Sequence, residues 1–244
     1  MVDLKNVSFS YPNSRQLLQN VSFSIKEGEI VALVGHSGCG KTTILNLIAG
    51  ILFPSSGTVT MNVDSMAYLM QDLTLLSYQT AFENCFLSCV LKGQVIDRDL
   101  ESKAIYLLRL FNFEKSDYDK YPSELSGGMK QRIGLIQALL ADSSLTLLDE
   151  PFNAIDYNTV QIIEDYIWDT SKKINKKNSL VFITHSFDQA LSLCDRVFIV
   201  KNIAKLCELS FPQEFIKLSP MERQNSEIFS RLYYEAIRAL TYEE

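Results

Sequence analysis

Apolar residues along this chain form short continuous runs, separated by longer stretches with helical spacing. The runs lie at residues 30–34, 145–148, 180–183 and 197–200 and are rich in Val, Ile, Leu and Phe. Continuous apolar runs of this length predict strands that are buried on both faces. Because such strands alternate with helical segments, the pattern predicts an α/β fold around a mainly parallel sheet.

Three regions depart from this alternation. Up to the continuous run that ends at about residue 34, apolar and polar residues alternate, which predicts antiparallel N-terminal strands. Residues 72–140 have a mostly helical pattern and are predicted to form a helical subdomain inserted into the core. Residues 205–244 are predicted to form a C-terminal helical tail that docks on the same core. We interpret residues 1–244 as a single domain.

Composition narrows the classes of function. The net charge of −6 argues against a nucleic-acid partner, which would require a basic surface. The five cysteines are scattered, which predicts reduced thiols and no zinc site. Since apolar runs of about 18 residues are absent and the start has no secretory pattern, we expect neither a membrane span nor a signal peptide.

A glycine-rich loop carries the most specific pattern in the chain. Residues Gly35–Thr42 match G-x-x-x-x-G-K-[ST] between a predicted strand and a predicted helix. In such a loop, backbone N–H groups and the helix N-terminus surround a phosphate. We expect Lys41 to reach the β- and γ-phosphates of a nucleotide and the Thr42 hydroxyl to ligate Mg²⁺. The alternative is an ordinary glycine-rich turn.

Two carboxylates follow the apolar run at 145–148. Ligands of parallel sheets gather at the carboxyl ends of strands, so these groups belong near the phosphate loop. We expect Asp149 to bind Mg²⁺ through water and Glu150 to act as the general base for a hydrolytic water. Taken alone, the pattern is more typical of an ordinary strand that ends in acidic residues.

A second glycine-containing motif, Leu125–Arg132, begins a predicted helix. Ser126, Gly127 and Gly128 at the helix start form a second candidate anion site. Elements this far apart on one folded core cannot enclose one γ-phosphate from both sides. The motif therefore predicts two chains arranged head to tail, with each nucleotide held between them.

Together, these motifs resemble the ATP-binding subunit of ATP-binding cassette (ABC) transporters. Gly35–Thr42 match the Walker A loop, Leu145–Glu150 the Walker B strand, and Leu125–Gln131 the family signature. The resemblance covers about residues 3–202, with the motifs in the family's order. It implies the P-loop NTPase fold and ATP hydrolysis with Mg²⁺.

The resemblance also implies roles for residues that carry no motif of their own. Tyr11 matches the aromatic residue that stacks on adenine, and Gln71 the glutamine that senses Mg²⁺ and the attacking water. His185 matches the switch histidine that contacts the γ-phosphate, and Asn153–Asp156 lie at the D-loop. Outside this order, they would be a turn aromatic, a surface glutamine and a loop histidine.

The predicted site therefore has three groups of residues. The catalytic residues are Glu150, His185 and Gln71. The metal-binding residues are Thr42, Gln71 and Asp149. The nucleotide-binding residues are Tyr11, Gly35, His36, Ser37, Gly38, Cys39, Gly40, Lys41, Thr42, Thr43, Ser126, Gly127 and Gly128.

Within the family, the chain resembles importer subunits of the nitrate, sulfonate and taurine group. This implies a membrane permease, an extracytoplasmic solute-binding protein and a second ATPase subunit as partners, at the cytoplasmic face of the membrane. Some residues depart from the family pattern: Gln137, Asn153, Ile155, Ser186 and Gln189. Three alternatives remain: a soluble ABC ATPase uncoupled from transport, a kinase, and a regulatory module that binds nucleotide without turnover.

Overall fold

The computed structural model describes residues 1–12, 16–72, 75–174, 177–201 and 206–241. The strands in this part of the chain are β1 (Val2–Ser10), β2 (Gln16–Ile25), β3 (Ile30–Val34), β4 (Ser56–Met61), β5 (Met66–Leu69), β6 (Leu145–Asp149), β7 (Ser179–Thr184), β8 (Arg196–Val200) and β9 (Leu206–Leu209). The α-helices are α1 (Lys41–Ile48), α2 (Ala81–Asn84), α3 (Leu87–Leu91), α4 (Arg98–Leu110), α5 (Gly127–Leu140), α6 (Tyr157–Asp169), α7 (Phe187–Leu193), α8 (Gln213–Ile216), α9 (Pro220–Gln224) and α10 (Glu227–Thr241).

Two sheets divide the strands between them. The larger sheet has the order β5-β6-β7-β3-β8-β9, in which all neighbours are parallel except the last pair. The smaller sheet has the order β2-β1-β4 and is antiparallel. Parallel strands of this kind bring their carboxyl ends to one edge of the sheet, where such folds bind ligands.

The apolar runs explain the larger sheet, because every residue of β3, β6 and β7 is buried. Alternate residues of β3 face opposite layers. Ala32 belongs to the core that contains Leu135 of α5 and Leu191 of α7, whereas Leu33 belongs to the core beneath α1 and the antiparallel sheet. Burial of a leucine side chain such as that of Leu33 stabilises the fold by roughly 1.5–3 kcal/mol.

The structure confirms the predicted fold class: a mainly parallel core with antiparallel N-terminal strands. The predicted helical tail is wrong at its start, because Leu206–Leu209 form β9 and the helices begin at Gln213. The ion pair between Arg196 Nε and Glu208 Oε1, at 2.7 Å, fastens β9 to the edge of the sheet.

The described chain between Ala81 and Leu140 is largely helical. That these helices form a separate subdomain remains a prediction. Four residues at the edge of the predicted tail, Lys205 and 242–244, lie outside the described residues. The same holds for Leu73 and Thr74 in the predicted subdomain.

Candidate functional site

The carboxyl ends of four neighbouring parallel strands carry the predicted site residues. Gly35 follows β3, Asp149 ends β6, His185 follows β7 and Gln71 lies just beyond β5. These strands are adjacent in the sheet, although their residues are far apart in sequence. The fold thus brings the predicted site to a single edge, as expected for an open α/β sheet.

The loop from Gly35 to Gly40 depends on glycine at positions that other residues could not occupy without strain. Gly38 and Gly40 have φ angles of 80° and 104°, in the region that favours glycine. A Cβ atom on Gly40 would lie 2.9 Å from Leu18 Cδ2, and one on Gly35 would lie 2.4 Å from the carbonyl oxygen of Val200. The glycines therefore permit both the turn and the close packing of its backbone.

Lys41, the first residue of α1, is buried within this loop. Its Nζ atom donates hydrogen bonds to the carbonyl oxygens of Gly35 at 2.7 Å and His36 at 2.8 Å. Burial raises the pKa of the nearby Cys39 thiol, so Cys39 stays a neutral, packed side chain. The ammonium is thus held by carbonyl oxygens of the loop itself, at the N-terminus of α1.

Asp149 has the features of a metal ligand. Its side chain is 1% exposed, and within the described residues neither carboxylate oxygen has a hydrogen-bond partner. Burial raises the pKa of this carboxyl, while the Thr42 hydroxyl nearby favours its ionised form. A buried carboxylate without partners is costly. Mg²⁺ prefers oxygen ligands, so this carboxylate and the Thr42 hydroxyl fit that ion.

Glu150 is held in an unusual backbone conformation beside Asp149. Its φ angle is 50°, which is uncommon for a residue other than glycine, and its N–H donates to the Ile183 carbonyl at 3.2 Å. Asn153 Nδ2 donates to Glu150 Oε2, and Gln131 Nε2 donates to the Glu150 carbonyl at 3.3 Å. Strain of this kind is common at functional sites, where the surroundings hold it.

A cleft with about 340 Å³ of space for water-sized molecules opens above the loop. This size falls within the usual range of roughly 300–1,000 Å³ for small-molecule sites. The lining residues are Tyr11, Leu17, Ser37, Gly38, Gly40, Lys41, Thr42, Thr43, Gln71 and Glu150. The structure thus brings most of the predicted nucleotide and catalytic residues together in one open cleft.

Tyr11 forms one wall of this cleft. Its hydroxyl lies 3.3 Å from Thr43 Oγ1, and its ring meets Phe9 edge-on with centroids 4.9 Å apart. These two contacts orient the ring, whose side chain is still 42% exposed. An oriented and accessible aromatic face is suited to stacking on a planar base.

Other predicted residues lie outside this cleft. His36 is exposed on the loop, Cys39 is buried, and Asp149 lies buried at the strand end. His185 is exposed at the same sheet edge but is not among the residues that line the described cleft. The motif Ser126–Gly128 is likewise not among the residues that line this cleft.

Polar side chains hold the chain on both sides of His185. Ser186 Oγ caps α7 by accepting from the Gln189 N–H at 3.4 Å. Thr184 Oγ1 donates to Gln189 Oε1 at 2.5 Å and accepts from the Ser186 N–H at 3.0 Å. Ser186 and Gln189, which depart from the family pattern, thus restrain this turn with neutral groups.

The motif at Ser126 is exposed at the start of α5. Ser126 Oγ accepts from the Met129 N–H at 3.2 Å, so the serine caps the helix. A Cβ atom on Gly128 would lie 2.4 Å from the Ala154 carbonyl, which explains the glycine at this position. The exposed Ser126 and Gly127 leave the helix N-terminus accessible to a ligand or a partner.

Gln137, which stands where the family pattern has arginine, is buried in α5. Its Nε2 donates to the Asn84 carbonyl at 2.8 Å. The Asn84 amide in turn donates to the carbonyls of Leu76, Gln79 and Thr80 at 2.9–3.1 Å. A neutral amide is therefore sufficient here, because its partners are backbone carbonyls.

Comparison with known proteins identifies the family. The family model described as "ABC transporter" matches residues 18–153, which is more than half of the chain. The chain belongs to the ABC transporter family. The match includes the phosphate loop, the signature motif and both carboxylates, so the predictions of an ABC ATP-binding cassette and an ABC ATPase are confirmed.

Several relatives are named for transport or import. Nitrate transport protein NasD of Klebsiella oxytoca is 36% identical over 212 residues, covering 80% of this chain and 79% of NasD. The aliphatic sulfonates import ATP-binding protein SsuB of Bacillus cereus is 32% identical, covering 93% of this chain and 89% of SsuB. The predicted resemblance to nitrate and sulfonate importer subunits is thus confirmed.

A longer relative is the choline transport ATP-binding protein OpuBA of Bacillus subtilis. It is 32% identical over 232 residues, covering 89% of this chain. The chain spans 57–59% of the length of this protein and of two carnitine transport relatives. Relatives of similar identity thus differ in the solute that they are named for.

Solved ABC cassettes share the fold. The dimeric cassette MJ0796, in a post-hydrolysis state with ADP and Pi, has a TM-score of 0.75 and 27% identity. The match covers 85% of this chain and 97% of that one.

Two features of the ABC site were not identified from the sequence. One is the hydrogen bond from Asn153 to Glu150, and the other is the support of Glu150 by Gln131. The only sequence indication was that Asn153 departs from the family pattern.

Proposed function

We propose that this chain is the ATP-hydrolysing subunit of an ABC importer and works as a head-to-tail dimer. One observation carries the proposal: Tyr11, Lys41, Thr42, Gln71 and Glu150 line a single cleft. The proposed solutes are of the nitrate, sulfonate and taurine kind, in line with the names of NasD and SsuB.

Binding uses the loop and the start of α1. Tyr11 stacks on the adenine, and Lys41 moves its ammonium from the loop carbonyls to the β- and γ-phosphates. Thr42 and Asp149 would hold Mg²⁺, together with Gln71. When bound, Mg²⁺ neutralises charge on the phosphate oxygens.

Hydrolysis depends on residues at the ends of neighbouring strands. A water molecule attacks the γ-phosphorus in line with the leaving oxygen of ADP, and Glu150 accepts a proton from this water. Gln71 orients the water and His185 contacts the γ-phosphate. Since the protein contributes mainly position and charge, the restraints on Glu150 by Asn153 and Ile183 favour turnover.

The proposed partners follow from the exposed surfaces and from the relatives. In the described residues, no helix combines the length and apolar character needed to cross a bilayer. In line with the names of the transport relatives, we propose that the chain reaches the cytoplasmic face of the membrane by docking on a separate permease, which receives solute from an extracytoplasmic binding protein. The segment after Gln71 offers Val90, Leu91 and Val95 as exposed apolar contacts, whereas Phe86 belongs to the core.

The proposal is tested by two substitutions in the purified full chain. Glu150→Gln should retain ATP binding but lower turnover at least about tenfold, since general base catalysis typically contributes more. Lys41→Ala should weaken ATP binding, measured by nucleotide titration. Glu101→Gln, on the exposed face of α4, is the matched control and should leave both quantities unchanged.

Unchanged turnover in Glu150→Gln would remove Glu150 from its proposed role. Uptake in the source cell tests coupling to transport. Cells whose only copy carries Glu150→Gln should lose uptake of radiolabelled nitrate, sulfonate or taurine. Full uptake of all three would contradict the proposed solute class.

A further inference from the structure

The C-terminal segment contacts both ends of α7, the helix that begins just after His185. Helices α9 and α10 both pack against α7. None of the nucleotide-site motifs lies in this segment. Its contacts therefore need an explanation of their own.

At the start of α7, the contact is aromatic. Phe187 is the first residue of α7, two positions after His185, and its side chain is buried. The ring of Tyr233 in α10 meets Phe187 at 79°, with centroids 6.1 Å apart. Tyr233 also stacks on Phe229, with centroids 6.5 Å apart. This edge-on packing fixes the direction of Phe187 relative to α10.

At the end of α7, the contact is polar. Arg223 of α9 is fully buried, and its Nη1 donates to the Cys194 carbonyl at 2.6 Å. Its Nη2 and Nε donate to the carbonyls of Ile216 and Leu218 at 2.6 and 3.0 Å. A cation at a helix C-terminus is favourable, and a buried guanidinium must keep its hydrogen bonds. The end of α7 is therefore fastened to the C-terminal segment.

We propose that Tyr233 and Arg223 are positioning residues that set the placement of His185 through α7. This inference rests on the proposed function, in which His185 contacts the γ-phosphate. With seven residues, α7 has about two turns and moves as one short rod held at both ends. Loosening either contact displaces its first turn, and with it the neighbouring His185.

The residues that bind the nucleotide lie on other elements. Lys41 and Thr42 belong to α1, and Tyr11 follows β1. Displacement of α7 should thus affect the chemical step and leave ATP binding intact. A general loss of folding would instead affect both.

The experiment measures kcat and KM for ATP in the full chain. Tyr233→Ala should lower kcat at least about fivefold, because small misplacements of reacting groups are costly, and should leave KM within about twofold. Tyr233→Phe keeps the ring and should restore kcat. Tyr234→Ala is the matched control, since this neighbouring tyrosine is 70% exposed.

A double-mutant cycle with His185→Ala separates positioning from stability. If Tyr233 acts through His185, Tyr233→Ala should cause no further loss of kcat in the His185→Ala chain. An equal loss in both backgrounds would overturn the proposal. The proposal would also be overturned if Tyr233→Ala left kcat unchanged while His185→Ala lowered it.

Arg223→Lys provides a second route should Tyr233→Ala lower the melting temperature sharply. It keeps the charge but loses the forked donors, so kcat should fall while KM is unchanged. Unchanged kcat in Arg223→Lys would overturn the role of Arg223.

Failure of the proposed function would give a different result. In that case, kcat would be equal in the wild type and in His185→Ala, and the role of His185 would be contradicted.

Discussion

Asn153 restrains the candidate general base by a direct hydrogen bond. Its amide donates to Glu150 Oε2, while the backbone of Glu150 is fixed by the carbonyl of Ile183. A carboxylate held in this way has few rotamers to lose when it accepts a proton from water. We therefore expect Asn153 to influence turnover in addition to Glu150.

Asn153→Ala should lower kcat about three- to tenfold, less than loss of the base itself, and leave the affinity for ATP unchanged. Asn153→Ser keeps a shorter donor and should lie between the two. Steady-state kinetics on the purified chain check this, with the exposed Asn62→Ala as the control. A wild-type kcat in Asn153→Ala would contradict the restraint.

Residues differ in how far the sequence alone could predict them. Lys41 and Thr42 follow from fixed spacing, because only one geometry of loop and helix satisfies that motif. The Asn153 bond depends on a turn in which Glu150 and Ala154 have positive φ angles of 50° and 61°. Residues other than glycine adopt such angles seldom, so no local pattern indicates this turn.

Elements show the same division. The buried strands β3, β6, β7 and β8 were predicted because their apolar runs leave few other solutions. Strand β9 was missed because it is short and mixed in polarity, and its pairing with β8 specifies it. Its identity depends on a tertiary contact, which outweighs intrinsic strand preference.

The interface between α6 and α7 contains a buried carboxyl group. Glu164 is 2% exposed, and its Oε2 accepts a hydrogen bond from Ser192 Oγ at 2.9 Å. Burial raises the pKa of Glu164 from its ordinary 4.5 to about 8, opposed by the Ser192 hydrogen bond. Between these pH values, the folded chain holds a proton that the unfolded chain has released. The free energy of unfolding therefore falls as the pH rises from about 4.5 to about 8.

Glu164→Gln should remove this pH dependence, because the amide cannot ionise and its oxygen can still accept from Ser192. Above pH 8, the variant should melt at least about 3 °C higher than the wild type, as expected for a gain of about 1 kcal/mol or more. Glu101→Gln, at an exposed position of α4, is the control for neutralising a carboxylate. The melting temperatures of wild type and Glu164→Gln are compared between about pH 5 and about pH 9, a range that brackets the titration of Glu164. If the two melting temperatures changed in parallel over this range, Glu164 would not be a buried neutral carboxyl.

At the scale of the whole molecule, the candidate site is divided between two surfaces. The cleft beside Lys41 and the exposed helix start at Ser126 are separate parts of one chain. In a head-to-tail pair, each surface would meet its complement on the second copy. The relative MJ0796, with bound ADP and Pi, is a dimer.

Ser126→Arg tests the arrangement without disturbing the core. The serine is exposed, so the monomer should fold and lose only the cap, which is worth about 1 kcal/mol. A bulky side chain at the helix start should, however, block the approach of the second copy. In a Glu150→Gln background, which slows turnover, sedimentation with Mg-ATP should show dimers for the parent chain and monomers for the Ser126→Arg variant.

Ser230→Arg introduces the same side chain at an exposed position of α10 and should still dimerise. Each monomer should bind ATP, because Lys41 and Tyr11 are unchanged. An ATP-dependent dimer of normal size in the Ser126→Arg chain would mean that the γ-phosphate is not held between two copies.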